Sequence, residues 1–198
     1  GHPAHQAFGL VVAPLAFLRM EESRSEATAA QARSENPLRA FAALLRQPRL
    51  VGYVLAGALN GAVLFTYIAA SPGLFIGTYG ISPQAFGWVF GINAAGVIGA
   101  SQLNRLLLRR ATPDAVLAKA SLLAAGFGLV LALAALTGVG ERWTILPLLF
   151  VLLATYGVMS GNTMAGALNV DPKRSGSISA LAGGASFAAG ALGASLAG

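Results

Sequence analysis

Long apolar stretches alternate with short polar segments along the chain. Four stretches carry no charged side chain: residues 50–104, 120–140, 143–170 and 175–198. A helix needs about 20 apolar residues to cross a hydrocarbon core about 30 Å thick. The first stretch is long enough for two crossings, with Pro and Gly between Ser71 and Pro83 marking a turn. The pattern therefore predicts five transmembrane helices, at residues 50–71, 84–107, 114–137, 143–166 and 175–198.

Proline marks the start of several predicted helices. A capping side chain followed by proline is typical of a helix N-terminus, and it occurs at Ser82-Pro83, Thr112-Pro113 and Asp171-Pro172. Asn36-Pro37 has the same form and predicts a short amphipathic helix over residues 37–47. That helix is interpreted either as interfacial, lying along the membrane surface, or as a solvated linker.

Composition supports a membrane protein. Apolar residues make up 56% of the 198 residues and charged residues only 10%, whereas soluble domains carry about 25% charged residues. The fold class is thus predicted to be an all-α membrane protein, a polytopic helical bundle, and not a soluble enzyme. The chain contains no Cys, and its two His residues lie at positions 2 and 5. Because the interiors of the predicted spans also lack ionisable side chains, we expect no catalytic residues, no cofactor and no metal site.

The basic residues predict the orientation in the membrane. Twelve of the 13 Lys and Arg residues lie in segments 19–49, 105–119 and 171–174, and Arg142 is the exception. Because cytoplasmic loops are enriched in Lys and Arg, these three segments are predicted to be cytoplasmic. Their dispersal over short loops does not favour nucleic-acid binding. The predicted location is the inner (plasma) membrane, crossed several times.

The first 49 residues suggest the interior of a longer chain. The chain begins Gly1-His2-Pro3, and the apolar piece from Phe8 to Leu18 is too short to cross a membrane alone. Residues 1–18 are interpreted as the end of a truncated transmembrane helix. Residues 19–49 are then a central cytoplasmic loop, and residues 50–198 a C-terminal transmembrane bundle.

Uncharged polar and aromatic residues recur at helical spacing in three predicted helices. Tyr53, Asn60 and Tyr67 share one helix face at seven-residue steps, and Phe90 shares a face with Asn93. An Asn amide in hydrocarbon is costly unless it is paired, so each must face protein or water. Two interpretations stay open: a cavity lining, or hydrogen bonds between helices. The candidate substrate-binding residues are Tyr53, Asn60, Tyr67, Phe90, Asn93 and Asn162.

The other helix surfaces are simpler. Residues 122–136 contain only Leu, Ala, Val, Gly and Phe, which predicts that helix 114–137 faces lipid. Small residues at four-residue spacing form two ridges that would let helix backbones approach closely. Ridge 1 consists of Gly87, Gly91, Ala95 and Gly99, and ridge 2 of Gly176, Ala180, Gly184 and Ala188.

Several motifs together resemble the major facilitator superfamily, specifically its bicyclomycin/chloramphenicol-resistance (Bcr/CflA-type) drug:proton antiporters. The matching stretches are residues 65–72 (FTYIAASP), 79–87 (YGISPQAFG), 90–94 (FGINA), 101–110 (SQLNRLLLRR) and 176–181 (GSISAL). The resemblance implies the C-terminal half of a major facilitator fold, truncated at both ends and covering the end of helix six through helix eleven. It places helices 84–107 and 175–198, with their ridges, against the missing N-terminal half.

The resemblance also implies a function. We expect part of a proton-coupled multidrug efflux transporter that exports small amphipathic drugs by alternating access, with drug, protons and the lipid bilayer as partners. The proton-coupling carboxylates are expected in the absent half. Two alternatives remain: a major facilitator transporter of a defined solute, and a non-transporting membrane scaffold. The polar stripes oppose the scaffold, and the lack of a buried charge opposes a charged solute.

Overall fold

A computed structural model describes residues 36–138 and 142–197. The predicted helix end at residues 1–18 and most of the predicted loop at 19–49 lie outside this part of the chain. The described residues form helices and no strand. The helices are α1 (Pro37–Leu45), α2 (Pro48–Pro72), α3 (Pro83–Leu107), α4 (Pro113–Thr137), α5 (Arg142–Val170) and α6 (Ser175–Ala197). A π-helical segment (Gly73–Thr78) continues α2, and a 3-10 turn (Pro172–Arg174) precedes α6.

Five of these helices, α2 to α6, are long and apolar enough to cross a membrane. They lie at the five predicted spans, and the all-α membrane fold class is confirmed. The largest difference is at the end of α2, where the helix runs through Pro72 into the π-helical segment up to Thr78 instead of turning. Pro72 already has helical φ and ψ angles, and the chain turns only at Gly80, whose φ is +63°. Glycine tolerates this left-handed conformation because it has no Cβ.

Side-chain caps form at three of the four helix starts that the sequence predicts. The prediction for Asp171 is wrong, because its carboxylate makes no cap hydrogen bond and accepts one from the Arg174 guanidinium at 3.0 Å instead. Ser82 accepts a hydrogen bond from the backbone N–H of Ala85, and Thr112 accepts one from Ala115, each at 3.3 Å. Asn36 caps α1 by accepting from Leu38 N–H at 2.9 Å. Each cap satisfies a backbone donor that has no partner within its helix.

Helices α2 and α5 form the centre of the bundle. They pack against each other; α6 packs mainly on α2, whereas α3 and α4 both pack on α5. Close contacts occur where a helix carries glycine. A Cβ on Gly157 of α5 would collide with the backbone carbonyl of Val97 in α3, and one on Gly61 of α2 would lie 3.0 Å from the backbone oxygen of Ser186 in α6. Glycine therefore sets the separation of both helix pairs.

The outer surface of α4 is apolar. Leu122, Leu129, Leu133 and Leu136 are exposed, whereas Val116, Leu117 and Ala120, all in the first two turns, are buried. Soluble proteins rarely leave so many neighbouring apolar side chains in contact with water. The pattern agrees with the prediction that this helix faces lipid.

The two ends of α3 provide a test of the predicted orientation. Gly77, in the π-helical segment, and Arg109, just after α3, are both exposed, and α3 spans about 37 Å between them. A membrane-impermeant thiol reagent added outside intact cells should label Gly77→Cys and not Arg109→Cys, because twelve of the 13 basic residues predict the Arg109 end to be cytoplasmic. The parent chain has no Cys, so each substitution is the only thiol in it. If the reagent labels Arg109→Cys and not Gly77→Cys, the orientation in the membrane is opposite to the predicted one.

Candidate functional site

The six candidate residues lie in separate places in the bundle. Tyr53 and Asn60 line a cavity of about 230 Å³ between α2, α5 and α6. Tyr67, Phe90 and Asn93 form a cluster between α2 and α3. Asn162 lies on α5, paired with an asparagine of α3.

The cavity between α2, α5 and α6, called the central cavity below, has an aromatic and neutral polar lining. Asn60 projects from α2 and donates a long hydrogen bond of 3.5 Å to the backbone carbonyl of Tyr156 on α5. The lining of the central cavity also includes aromatic and hydroxyl side chains that were not among the candidates: Phe65, Tyr156, Ser160, Thr163, Ser186 and Phe187. Among the described residues, the lining carries no charged side chain.

Helix α6 contributes to this cavity through a face that the sequence pattern did not single out. Its buried and half-buried residues Ile178, Ala182, Ser186 and Gly190 are four apart, so they form one side of the helix. A Cβ on Gly190 would lie 2.8 Å from Cγ of Phe65, which shows how tightly this face packs on α2. The sequence pattern that could have indicated this face is a four-residue spacing like that of ridge 2, displaced by two positions along α6.

Ridges 1 and 2 themselves are uncovered. All eight residues of the two ridges are exposed, and for Gly87, Gly91, Gly99 and Gly184 a Cβ would meet no atom within 4 Å. The ridges thus lie on α3 and α6 away from the contacts with α5 and α2. Their expected role as surfaces for another helix stays a prediction.

The cluster between α2 and α3 combines a hydrogen bond with stacked rings. Asn93 donates from Nδ2 to the hydroxyl of Tyr67 at 2.9 Å, and both residues are buried. The Tyr67 ring stacks on Phe90 with centroids 5.7 Å apart and planes 16° apart. Phe86 continues this aromatic surface, 6.0 Å from Phe90. Because Phe90 is 36% exposed, this cluster reaches the surface of the described bundle through that ring.

A pair of amides joins α3 to α5. Asn162 donates from Nδ2 to Oδ1 of Asn104 at 2.9 Å, and Asn104 returns a longer bond of 3.5 Å. Asn162 also donates to the carbonyl of Val158, and both asparagines are buried. Asn162 is therefore satisfied within the bundle and is not among the residues that line the central cavity. Its geometry favours the interpretation as a hydrogen bond between helices.

Tyr53 lies at the end of the central cavity nearest the first turns of α2 and α4. Its hydroxyl donates to Oδ1 of Asp114, the second residue of α4. Arg49, one turn before Tyr53, donates to Oδ2 of Asp114 at 2.9 Å and lies 3.4 Å from the Tyr53 hydroxyl. Asp114 was not a candidate, because the sequence places it at the edge of a span and not inside it.

Other cavities of the bundle are more apolar. Three of them, of about 540, 380 and 530 Å³, follow one another along α2, α4 and α5, sharing Val63, Leu152, Leu74, Leu131 and Leu149. Ser71 lines the second of these cavities, and its buried hydroxyl has no hydrogen-bond partner. The described residues include no group of three His, Asp or Glu side chains that could hold a metal ion. Among these four cavities of the described bundle, the central cavity is the one that combines aromatic, amide and hydroxyl groups.

Comparison with known proteins gives the family. A family model described as "Major Facilitator Superfamily" matches residues 6–194. The chain belongs to this family of membrane transporters, and with its five apolar helices it is a multi-pass membrane protein.

Two curated proteins are similar to the chain over most of its length. One is the "Bicyclomycin resistance protein homolog" of Haemophilus influenzae, 30% identical over 184 residues, which cover 93% of this chain and 46% of that protein. The other is the "Uncharacterized MFS-type transporter YdgK" of Bacillus subtilis, 27% identical over 186 residues, which cover 88% of this chain and 43% of that protein. The chain spans about half the length of both relatives. No solved structure matches it significantly. The resemblance to the Bcr/CflA type is confirmed.

Proposed function

We propose that the chain is the C-terminal half of a proton-coupled multidrug exporter in the bacterial inner membrane. In this proposal the described bundle rocks against a second, N-terminal bundle and exposes a binding site to each side of the membrane in turn. Protons would be carried by residues outside this chain. The substrates would be small amphipathic drugs.

The observation that carries this proposal is the neutral, aromatic lining of the central cavity. Phe65, Tyr156 and Phe187 offer apolar ring surfaces, while Asn60 and the hydroxyl of Ser160 offer hydrogen bonds. Rings and neutral polar groups accept many amphipathic molecules without requiring one charge pattern, which suits a loosely specific exporter. The similarity to a protein named for bicyclomycin resistance supports a drug as substrate.

A transporter of one defined solute is the second candidate. A charged solute would require an opposite charge in the site, because an unpaired ion is expensive to transfer out of water. The described lining of the central cavity supplies none. The proposal therefore favours neutral or weakly polar amphipathic substrates. The polar lining of the central cavity also disfavours a scaffold without transport activity.

Asn60→Leu tests the proposed site in the complete exporter. The two side chains are similar in size, so the substitution removes mainly the amide, whose bond to Tyr156 is long. Loss of one hydrogen bond to substrate, about 1 kcal/mol, should raise the apparent KM for drug export about fivefold. Export is measured as efflux of a fluorescent amphipathic drug from cells, and abundance by immunoblot.

Asn162→Leu is the matched control, because it removes a buried amide that is paired with Asn104 and not with the cavity. It should lower the abundance of the exporter and leave the KM of the remaining molecules unchanged. If Asn60→Leu lowers abundance in the same proportion as export, Asn60 is a structural contact. That result would contradict the proposal that the central cavity binds the substrate.

A further inference from the structure

The lining of the central cavity has aromatic side chains at both ends. On α2 its lining runs from Tyr53 to Phe65, a rise of about 18 Å. At one end the Phe65 ring packs against Phe187 of α6, with centroids 5.2 Å apart. At the other end stands Tyr53, whose ring lies against Gly166 of α5. This second end is the one that the charge distribution predicts to be cytoplasmic.

The Tyr53 ring fits there because α5 carries no side chain at Gly166. A Cβ on Gly166 would lie within 2.8 Å of ring atoms of Tyr53, including Cδ1. The ring is 8% exposed although it lies in the second turn of α2. It therefore fills the space between α2 and α5 at the end of the central cavity.

The orientation of Tyr53 is held from a helix that does not line this cavity. Thr112 and Pro113 fix the first turn of α4, so Asp114 projects from a capped helix start. Its carboxylate accepts hydrogen bonds from the Tyr53 hydroxyl and from Arg49, which lies one turn from Tyr53 on the same face of α2. The Arg49 guanidinium also lies 5.9 Å from the centroid of the Tyr53 ring. Both partners of the tyrosine are thus charged groups at the membrane edge.

These contacts orient the Tyr53 side chain more than they stabilise the bundle. The side chains of Arg49 and Asp114 are 71% and 55% exposed, and ion pairs exposed to this degree contribute little to stability. A hydrogen bond to a carboxylate is nevertheless strongly directional and stronger than one between neutral groups. The arrangement is suited to select one position of the Tyr53 ring and not to hold the bundle together.

We propose that Tyr53 is a gate at the cytoplasmic end of the central cavity, and that Arg49 and Asp114 are positioning residues that hold it closed. The gate rests on the proposed function, since it controls access to the proposed drug site. When the carboxylate releases the hydroxyl, the ring leaves Gly166 and opens the cavity toward the cytoplasm. Drug entry from that side is then the step that this contact regulates.

The test is the accessibility of a cysteine at position 160, in the complete exporter with no other cysteine. Ser160 lines the central cavity, and the chain has no native Cys. A charged, impermeant maleimide is applied to inside-out vesicles, which expose the predicted cytoplasmic side. Relative to the Ser160→Cys parent, adding Tyr53→Phe or Asp114→Asn should raise the labelling rate about tenfold, the population shift expected when one charge-assisted hydrogen bond is lost.

Charge reversal separates positioning from a general structural effect. Arg49→Asp combined with Asp114→Arg should return labelling toward the parent rate, because a carboxylate at position 49 lies one turn from the Tyr53 hydroxyl. Arg46→Gln, which removes an exposed arginine three residues before Arg49, should leave the rate unchanged. Unchanged labelling in both Tyr53→Phe and Asp114→Asn would overturn the gate.

The result is independent of whether the exporter transports drugs, since labelling requires no substrate. If the Tyr53 and Asp114 variants change labelling while the parent confers no drug efflux, the gate stands and the proposed function fails. A cysteine at Gly77, at the opposite end, reports folding through its labelling from the outside. If Asp114→Asn lowers the labelling at position 77, that variant is misfolded and cannot test the gate. Tyr53→Phe then provides the test by itself, because it keeps the ring that packs on Gly166.

Discussion

Alanine at position 157 is expected to destabilise the bundle strongly, although it adds only one methyl group. Gly157 of α5 contacts the backbone of α3, where a Cβ would collide with the carbonyl oxygen of Val97 and lie 3.0 Å from its carbonyl carbon. Backbone atoms cannot rotate away as a side chain can, so the two helices must separate. Overpacking of this kind costs about 1–3 kcal/mol or more. Separation would also stretch the Asn104–Asn162 pair, which lies on the same two helices.

The measurement is the thermal unfolding midpoint in detergent, together with abundance in the membrane. Gly157→Ala should lower both. Gly161→Ala is the control, one turn further along α5, where a Cβ would meet no atom within 4 Å. Because alanine is favoured over glycine inside a helix by about 0.5–1 kcal/mol, this control should be neutral or slightly stabilising. Equal midpoints for the two variants would show that α3 and α5 do not approach as closely as the structure has them.

Leucine at position 91 is expected to abolish export while leaving the bundle folded. Gly91 is exposed at the middle of ridge 1, with open space where a Cβ would stand, so the described bundle has room for a larger side chain. In the proposed exporter the ridge contacts the other bundle and slides against it during each transport cycle. A bulky side chain would block the close approach that small residues permit. Drug efflux should fall to background, with normal abundance and retained drug binding.

Gly126→Leu provides the matched comparison on α4. Gly126 is also exposed, a Cβ there would meet no atom within 4 Å, and the substitution adds the same volume on the surface expected to face lipid. This variant should export at nearly the parent rate. Full activity of Gly91→Leu would refute the assignment of ridge 1 to a moving interface. Equal loss of export in both variants would show that the ridge has no special role.

The sequence alone determined the membrane helices, because their signal is local. A crossing requires about 20 consecutive apolar residues whatever their neighbours are, and a cap followed by proline fixes a helix start within one turn. Thus the ends at Pro83 and Pro113 follow from three or four adjacent residues. The apolar surface of α4 and the family are also evident from short stretches of sequence. The π-helical extension after Pro72 cannot be predicted in this way, since a proline at that point permits either a turn or a continued helix.

Only the tertiary structure decided what each polar side chain contacts. Helical spacing placed Asn60 and Asn162 on similar polar faces, yet one lines the central cavity and the other pairs with Asn104. A helix face can be recognised from a single helix, but its partner depends on how neighbouring helices are rotated and separated. In this bundle that is set by backbone contacts at residues such as Gly61 and Gly157. The contact of Tyr53 with Asp114 joins residues 61 apart in the chain, and it exists because α2 and α4 begin at the same end of the bundle.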